Sequence, residues 1–371
     1  MIHSSHRCWC EVSLGQLHAN LQAVRSRITP TCGIIAVIKA NAYGHGLVPI
    51  AHFLDSEDCA MLGCAHVAEA ITLRQAGVVK PILLLSSFLP EEVQNIIHYG
   101  IDQVVSSAGE IELLETAAEQ LRSHVSVHLK IDTGMSRLGI TPTAVGTILA
   151  TLKGCKWVKL KATCTHFACA DSDEAFTRKQ WDTFVSAAPK DIPSHACNSA
   201  AITNLSLSRN SFVRPGICLY GISPVPEYQK FFQPILSWKS RVTLLKDVPP
   251  GTSISYGATY TTTHAMRIAV VAVGYGDGLF RHISNRSHVL IHGKRCPILG
   301  RVTMDQIIVD VSTMPQVARG DIAVLLGKQG DETITAEDMA QWAETIPWEI
   351  WCHITERVER IYLNAPPHEP S

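Results

Sequence analysis

The sequence predicts an α/β fold: an eight-fold parallel β/α barrel of the TIM type, followed by a mainly β C-terminal domain. Three observations lead to this prediction. Eight short apolar runs alternate with amphipathic, helix-like segments up to about residue 221. A proline-rich segment at 223–234 then interrupts the pattern, and the runs beyond it are strand-like with little helix between them. Eight β/α units are the number expected of a closed barrel, although a doubly wound open sheet stays possible.

The elements of the barrel follow from the alternation. Thr141-Pro142 and Leu89-Pro90 are typical helix starts, because a proline at the first helical position loses no intrahelical hydrogen bond. The predicted strands are 34–38, 61–65, 82–86, 103–106, 125–131, 158–165, 192–196 and 212–220. The helical candidates between them include 17–24, 67–76, 90–99, 108–121, 142–152 and 174–187.

The C-terminal part is divided by turn signals such as Pro249-Pro250-Gly251. Its predicted strands are 241–247, 267–273, 288–292, 306–311, 321–326 and 357–363, and one helix is expected at about 336–345. We therefore expect residues 14–228 to form the barrel and residues 229–371 to form a mainly β domain.

Composition and charge exclude several classes of protein. The 371 residues carry a formal net charge of -1 with acids and bases interspersed, which argues against nucleic-acid and membrane-surface binding and favours a small-molecule ligand. The apolar runs are too short for a membrane helix, and the N-terminus lacks the apolar core of a signal peptide, so a cytoplasmic protein is expected. The twelve cysteines are scattered, and Cys8-x-Cys10 is the only close pair, so neither disulfides nor a metal site are expected.

Lys39 ends the apolar run 33–38 and is followed at once by Ala-Asn-Ala-Tyr-Gly-His-Gly. This pattern is typical of a buried strand that carries one amine to its C-terminal end. Burial strips hydration from an ammonium group, which makes the amine a usable nucleophile or base. The alternative, favoured by periodicity alone, is that Lys39 only marks the exit of the strand into solvent. The pattern assigns no role to Asn41 or His45.

Polar residues also follow other predicted strands. In a β/α barrel the active site is assembled where the strands end, so a set of charged groups at that rim suggests a site for an anionic, carbonyl-bearing cofactor. Each residue alone has a structural alternative: a histidine satisfied in the core, an arginine in a surface ion pair, or a glycine in a turn. The set comprises Lys130, Asp132 and Arg137 after the fifth strand, His166 after the sixth, Asn198 and Ser199 after the seventh, and Arg214 and Gly216 within the eighth.

Eight segments spread over the chain are similar to the sequence motifs of a known protein family. They are AVIKANAYGHG at 36–46, HLKIDTGMSRLGI at 128–140, THFACAD at 165–171, HACNSAA at 195–201, VRPGICLYG at 213–221, ISYGATY at 254–260, VAVGYGDG at 271–278 and GRVTMDQ at 300–306. In this order they resemble the motifs of the bacterial alanine racemases, which use pyridoxal 5'-phosphate and join a β/α barrel to a β domain. The resemblance also implies that residues 1–13 form a strand that packs with the β domain.

The resemblance implies an activity and a set of roles. The activity is the interconversion of L-alanine and D-alanine by two bases, which supplies D-alanine for peptidoglycan, in a homodimer with shared sites. Lys39 would bind the cofactor and act as one base, and Tyr256 of the partner subunit would be the other. A phenol is a poor base at neutral pH because its ordinary pKa is about 10, so a cationic network through His166 and Arg214 is expected to assist it. The remaining cofactor-binding residues would be Tyr43, Asn198, Ser199, Gly216 and Ile217, and the substrate-binding residues would be Arg137, Met304 and Tyr275.

Two positions raise separate questions. Lys130 aligns with a lysine that is carbamylated in some relatives, where it orients the substrate-binding arginine. Glu356 stands where many relatives have a tyrosine that helps to bind phosphate, and a carboxylate there would repel phosphate. The alternatives to alanine racemisation are a racemase for serine or another small amino acid, a related decarboxylase, and a non-catalytic protein that binds pyridoxal phosphate on a barrel alone.

Overall fold

The computed structural model describes residues 6–204 and 210–363, which form two compact units. The barrel unit contains residues 16–42, 46–204 and 210–233, and the β unit contains residues 6–15, 43–45 and 234–363. Residues 1–5, 205–209 and 364–371 of the predicted domains lie outside the described part. In the described part, no helix is long and apolar enough to cross a membrane, and no group of His, Cys, Asp and Glu is arranged to hold a metal ion.

Strand β1 (Cys8–Ser13) belongs to the β unit, and the next eight strands close the barrel. All neighbouring barrel strands are parallel, and the last pairs with the first through Gly33 opposite Phe212 and Ile34 opposite Val213. The predicted closed barrel is thus confirmed, and the open sheet is excluded. The barrel strands are β2 (Gly33–Val37), β3 (Met61–Cys64), β4 (Ile82–Leu84), β5 (Asp102–Val105), β6 (Val125–Lys130), β7 (Val158–Cys164), β8 (Ser194–His195) and β9 (Phe212–Val213).

The barrel encloses an apolar core. Because all its strands are parallel and flanked by helices, the apolar runs are buried on both faces, which explains why they lack alternation. Part of the core consists of Ile35, Met61, Leu83, Val104 and Cys164. The helices near or between the strands are Leu14–Arg25, Leu47–Asp55, Val67–Gln75, Val93–His98, Ala108–Leu121, Val145–Gly154, Glu174–Ala187 and Ser199–Asn204.

Two details of the predicted elements are wrong. The strand expected at 212–220 ends at Val213, because Pro215 cannot donate to a β ladder, and Ile217–Tyr220 forms a 3₁₀ helix instead. The C-terminal part contains two helices rather than one, Ala336–Ala343 and Pro347–His353. The second begins with a proline at its first position, the same start signal that marks two helical segments of the barrel unit.

The β unit is built on a nine-stranded, mostly antiparallel sheet. Strand β1 lies between β10, to which it is antiparallel, and β19, to which it is parallel. The first strand of the chain therefore completes the sheet formed by the last part of the chain. The other strands of this sheet are β10 (Leu236–Val248), β13 (Met266–Val271), β14 (His288–Ile291), β15 (Lys294–Pro297), β16 (Ile307–Asp310), β17 (Ile322–Gln329), β18 (Glu332–Ile334) and β19 (Glu359–Leu363). A separate two-stranded sheet consists of β11 (Ser253–Ile254) and β12 (Tyr260–Thr261).

Residues 43–45 are packed into the β unit. Gly44 has a φ of +78°, and a Cβ at this position would lie 2.0 Å from the carbonyl oxygen of Trp351, so only glycine fits. Arg360 donates to the carbonyl oxygen of Gly44 at 3.1 Å, and Tyr362 donates to that of His45 at 2.9 Å. The role of His45, which the sequence leaves open, is thus structural: its ring is fully buried and stands edge-on against Trp351.

Candidate active site

Five of the predicted site residues lie at the carboxyl ends of barrel strands. Lys39 follows β2, Lys130 ends β6, His166 follows β7, Asn198 follows β8 and Arg214 follows β9. Because the strands are parallel, these ends share one rim of the barrel. Lys130, Arg137 and His166 line one small pocket at this rim, together with Leu85, Ile131, Asp132, Met135, Leu138 and Thr165.

His166 marks the point where positive charges converge. Burial lowers the pKa of His166 well below its ordinary value, and four cationic side chains lower it further: Arg214, Lys130, Arg137 and Lys39. His166 is therefore neutral at physiological pH. A rim with this concentration of positive charge is suited to an anionic ligand.

Arg214 is almost fully buried, with 5% of its surface exposed. Its Nη1 donates to Nδ1 and to the carbonyl oxygen of His195, at 2.5 and 2.8 Å. Its Nη2 donates to the carbonyl oxygens of Thr165 and Ala196 and, at 3.2 Å, to Nδ1 of His166. Among the described residues none accepts from Nε, so this one donor of the guanidinium is left for a ligand.

The tautomers of the neighbouring histidines follow from Arg214. A guanidinium can only donate, so Nδ1 of His166 and Nδ1 of His195 both accept, and the proton of each neutral ring is on Nε2. His195 then donates from Nε2 to Nδ1 of His128 at 2.7 Å, deep in the barrel. Burial lowers the pKa of both His195 and His128, which keeps the two rings neutral. His166 consequently presents an N–H donor on the side away from Arg214.

Lys39 is followed by one turn of left-handed helix. Ala40, Asn41, Ala42 and Tyr43 have φ values of 53 to 54°, although none is glycine. This conformation costs about 1 to 2 kcal/mol for each residue with a Cβ, so it persists only where other contacts impose it. Asn41 supplies some of them, since its Oδ1 accepts from the backbone of Leu47 at 2.7 Å and its carbonyl oxygen accepts from Gly46 at 2.9 Å. The role of Asn41 is therefore structural as well.

The loop after β6 positions Arg137. Oδ1 of Asp132 accepts from the backbone of Gly134, Met135 and Ser136 at 3.0 to 3.1 Å. Burial raises the pKa of Asp132, but these hydrogen bonds outweigh it and hold the pKa below the ordinary value. Within the described residues Arg137 makes no hydrogen bond or ion pair, so its guanidinium is available to a carboxylate.

Lys130 carries a half-buried amine beside this loop. Burial, with a smaller contribution from the charges of Arg214 and Arg137, lowers the pKa of Lys130 to about 8. A substantial fraction of the amine is then neutral near pH 8, whereas an ordinary lysine is almost wholly protonated there. Lys130 is thus far more nucleophilic than a surface lysine.

Ser199 joins the loops after β8 and β9. Its Oγ accepts from the backbone of Gly216 at 2.9 Å, and Gly216 precedes the 3₁₀ helix Ile217–Tyr220. The hydroxyl of Tyr220 donates to the carbonyl oxygen of Val37 at 3.0 Å, which ties this turn to β2. The arrangement gathers a hydroxyl and backbone N–H groups at one place, as phosphate-binding sites require.

The predicted site residues of the β unit lie on its surface. Tyr256, Tyr275 and Met304 are 71%, 40% and 53% exposed, which is unusual for large side chains with so much apolar surface. The segment 301–304, which includes Met304, contacts the other two regions. Tyr275 donates from its backbone N–H to the carbonyl oxygen of Thr303 at 3.0 Å, and Ser255, next to Tyr256, donates from its Oγ to the carbonyl oxygen of Arg301 at 2.6 Å. Glu356 is exposed next to Thr355, whose Oγ1 donates to Gly276 at 3.0 Å.

Comparison with known proteins identifies the family. The family model for the alanine racemase N-terminal domain matches residues 12–224, and that for the alanine racemase C-terminal domain matches residues 235–362. The chain belongs to the alanine racemase family. The alanine racemase of Methylacidiphilum infernorum is 43% identical over 364 residues, which cover 98% of this chain and 94% of that one. The alanine racemase of Halothermothrix orenii is 39% identical, with 96% and 97% covered.

Solved alanine racemases share the fold. The enzyme of Clostridium difficile superposes with a TM-score of 0.92 at 36% identity, covering 97% of this chain and 96% of that one. The resemblance of the eight sequence segments is thus confirmed. Because the C-terminal domain of alanine racemases is matched as well, a protein with the barrel alone is excluded.

Sequence reasoning missed residues that support the site of this alanine racemase relative. His195 opens the HACNSAA segment but received no role, and His128 opens another segment. Glu69 was also overlooked, although the spacing His66-x-x-Glu69 before a helix is similar to a capping box. His195 contacts the site residue Arg214, and His128 contacts His195. Glu69 contacts Ala40, next to Lys39, so only the three-dimensional geometry indicates what these residues do.

Proposed function

We propose that the protein racemises alanine with pyridoxal 5'-phosphate, in a homodimer whose two active sites each take residues from both subunits. The observation that carries this proposal is that the cationic side chains Lys39, Arg137 and Arg214 lie at the barrel rim around His166 in a member of the alanine racemase family. The product D-alanine would supply peptidoglycan synthesis.

The residues at the barrel rim offer the groups that pyridoxal phosphate requires. Lys39 would hold it covalently, Arg214 would donate to its pyridine nitrogen, and Tyr43, Ser199, Gly216 and Ile217 would bind its phosphate. His166 and Asn198 complete the cofactor-binding set. When bound, pyridoxal phosphate supplies an electron sink for the charge left on Cα. The unengaged Nε of Arg214 supports the assignment, since a donor keeps the pyridine nitrogen without a proton.

The chain's own residues move the proton. Lys39 Nζ takes or returns the Cα proton on one face of the substrate, and the phenolic oxygen of Tyr256 of the partner subunit does so on the other. His166 supports the second role, because its Nε2 carries a proton that it can donate to the phenolate. The exposure of Tyr256 in one chain is compatible with a position in the partner's site.

Arg137 would bind the substrate carboxylate through paired N–H groups. The backbone N–H of Met304 of the partner subunit would add a further donor, and Tyr275 of the partner subunit would line the approach. The exposed positions of Met304 and Tyr275 beside each other in the β unit support this assignment.

The function is tested by incubating purified protein and added pyridoxal phosphate with a panel of amino acids, each supplied as a single enantiomer. Chiral chromatography measures how much of the other enantiomer forms. We expect alanine to be racemised with the highest kcat/KM. Faster racemisation of serine would show that the protein is a serine racemase, the second candidate function. Glu356 favours that candidate because it alters the contact expected between this position and the phosphate. Absence of racemisation of every amino acid in cofactor-loaded protein would refute both.

Lys130 is expected to be carbamylated. Because its pKa is about 8, the neutral amine can capture carbon dioxide, which turns a cation into an anion able to pair with Arg137. Intact mass measurement under native, bicarbonate-containing conditions should show one added carbon dioxide, absent from Lys130→Gln. That variant should raise KM for alanine about tenfold, the effect of losing one charged pair at a partly buried site. A wild-type protein without the added mass contradicts the modification.

Glu356→Tyr is expected to tighten cofactor binding. Removing one carboxylate from the surroundings of a phosphate gains about 1 kcal/mol in a water-exposed site, or roughly fivefold in Kd. Equilibrium titration of apoprotein with pyridoxal phosphate measures the change in Kd. The values of kcat/KM for alanine and serine measure the substrate preference. Glu359→Tyr, at a neighbouring exposed residue, is the control. If neither quantity moves in Glu356→Tyr, the position is not at the site.

A further inference from the structure

One carboxylate joins the loop that carries Lys39 to the loop after the next strand. Oε1 of Glu69 accepts from the backbone of Ala40 at 2.6 Å. Its Oε2 accepts from the backbone of Ala65 and His66 at 2.9 and 3.2 Å. Ala40 is the first residue of the left-handed turn, and its amide nitrogen belongs to the peptide group that leaves Lys39. Both oxygens of Glu69 are thus used, one on each loop.

We propose that Glu69 is a positioning residue for Lys39. Its carboxylate fixes the Lys39–Ala40 peptide against β3 and its following loop, and so sets where the Lys39 amine stands at the rim. The proposal rests on the function proposed above for Lys39. Glu69 is held firmly itself, because it lies in the first turn of the helix Val67–Gln75, between the buried residues Val67 and Ala70.

The chemistry of the contact calls for a glutamate. Three backbone N–H groups approach the carboxylate from two sides, and only a group with acceptors on both sides can satisfy them. Glutamine has the same length, but its NH₂ would face an N–H on one of the two sides. Aspartate keeps both acceptors but is one methylene shorter, so it can cap its own helix without reaching Ala40.

Glu110 provides a matched comparison. It occupies the same position in the first turn of the helix Ala108–Leu121 and lies at the same rim, after β5. Its Oε2 accepts from the backbone of Ser106 at 2.5 Å, in the segment that leads into its own helix. In the described part of the chain it has no bond to a second loop. Glu110→Gln therefore weakens a helix start as Glu69→Gln does, without touching the Lys39 turn.

The experiment compares Glu69→Gln, Glu69→Asp and Glu110→Gln with wild type as full-length protein. Stopped-flow absorbance follows the capture of pyridoxal phosphate by Lys39 in apoprotein, without any amino acid, and racemisation of alanine gives kcat and KM. A displacement of the amine by a fraction of an ångström should slow capture and lower kcat about tenfold in both Glu69 variants, with KM changed less than about twofold. Glu110→Gln should stay within about twofold of wild type in all three quantities, while its Tm also falls because its helix start is weakened.

Two results overturn the proposal. One is a Glu69→Gln protein that captures the cofactor and turns over like Glu110→Gln. The other, which decides the case if the glutamine variant does not fold, is a Glu69→Asp protein with wild-type capture and kcat. Cofactor capture is measured without substrate, so it does not depend on the proposed activity. A wild-type protein that captures the cofactor but does not racemise alanine would refute the proposed function. The capture rates of the Glu69 variants would then test the role of Glu69 by themselves.

Discussion

Lys39→Ala should abolish racemisation, with kcat reduced at least about 1,000-fold, because it removes both the covalent attachment of the cofactor and the base on one face of the substrate. The purified wild-type protein should be yellow, and the variant should lose the absorbance of the lysine-bound cofactor. Absorbance spectra and chiral chromatography measure the two effects. The cations that the variant keeps at the rim, Arg137 and Arg214, should still retain some cofactor non-covalently.

Lys159→Ala is the control for this change. Lys159 is exposed on β7, within the same barrel, and belongs to neither the pocket nor the network of Arg214. It should keep the wild-type spectrum, kcat and Tm. A Lys39→Ala protein that still holds pyridoxal phosphate covalently after borohydride reduction would mean that another lysine is the attachment site.

Tyr256→Phe should separate the two directions of the reaction. The phenylalanine cannot accept or return a proton, so exchange of the Cα proton of L-alanine into heavy water should fall by about 100-fold or more. Exchange from D-alanine should partly survive, because Lys39 still serves that face. Proton NMR of each enantiomer in heavy water measures the two rates separately.

Tyr260→Phe is the matched control, since this tyrosine lies four residues further along the same segment and its hydroxyl donates to the sulfur of Met266 at 3.7 Å. It should leave both exchange rates unchanged. Equal loss of exchange from L-alanine and D-alanine in Tyr256→Phe would contradict a division of labour between two bases.

The sequence predicts the fold well because the eight apolar runs of the barrel are bounded by strong turn signals. The prediction fails where an apolar run and a strand-breaking proline give opposite signals. This occurs after Phe212–Val213, where the apolar run continues but the strand ends before the proline. The candidate residues at the strand ends could be named from position alone. Their chemistry could not be predicted, because the neutral state of His166 depends on its burial in the folded barrel and on Arg214, which is remote in sequence.

The turn after Lys39 lies beyond sequence reasoning for a different reason. Residues with a Cβ disfavour the left-handed conformation, so nothing in Ala40-Asn41-Ala42-Tyr43 predicts four such residues in a row. The contacts that impose the turn come from Glu69 and from the side chain of Asn41, and they become visible only in three dimensions.

Each active site is proposed to combine Lys39 of one subunit with Tyr256 of the other. The most direct test is a heterodimer of one Lys39→Ala chain and one Tyr256→Phe chain, co-expressed with different affinity tags and purified through both. One of its two sites would lack both bases and the other would be intact, so its activity should be about half that of the wild-type dimer. A heterodimer as inactive as the two parent homodimers would contradict the claim, because both residues would then act within one chain.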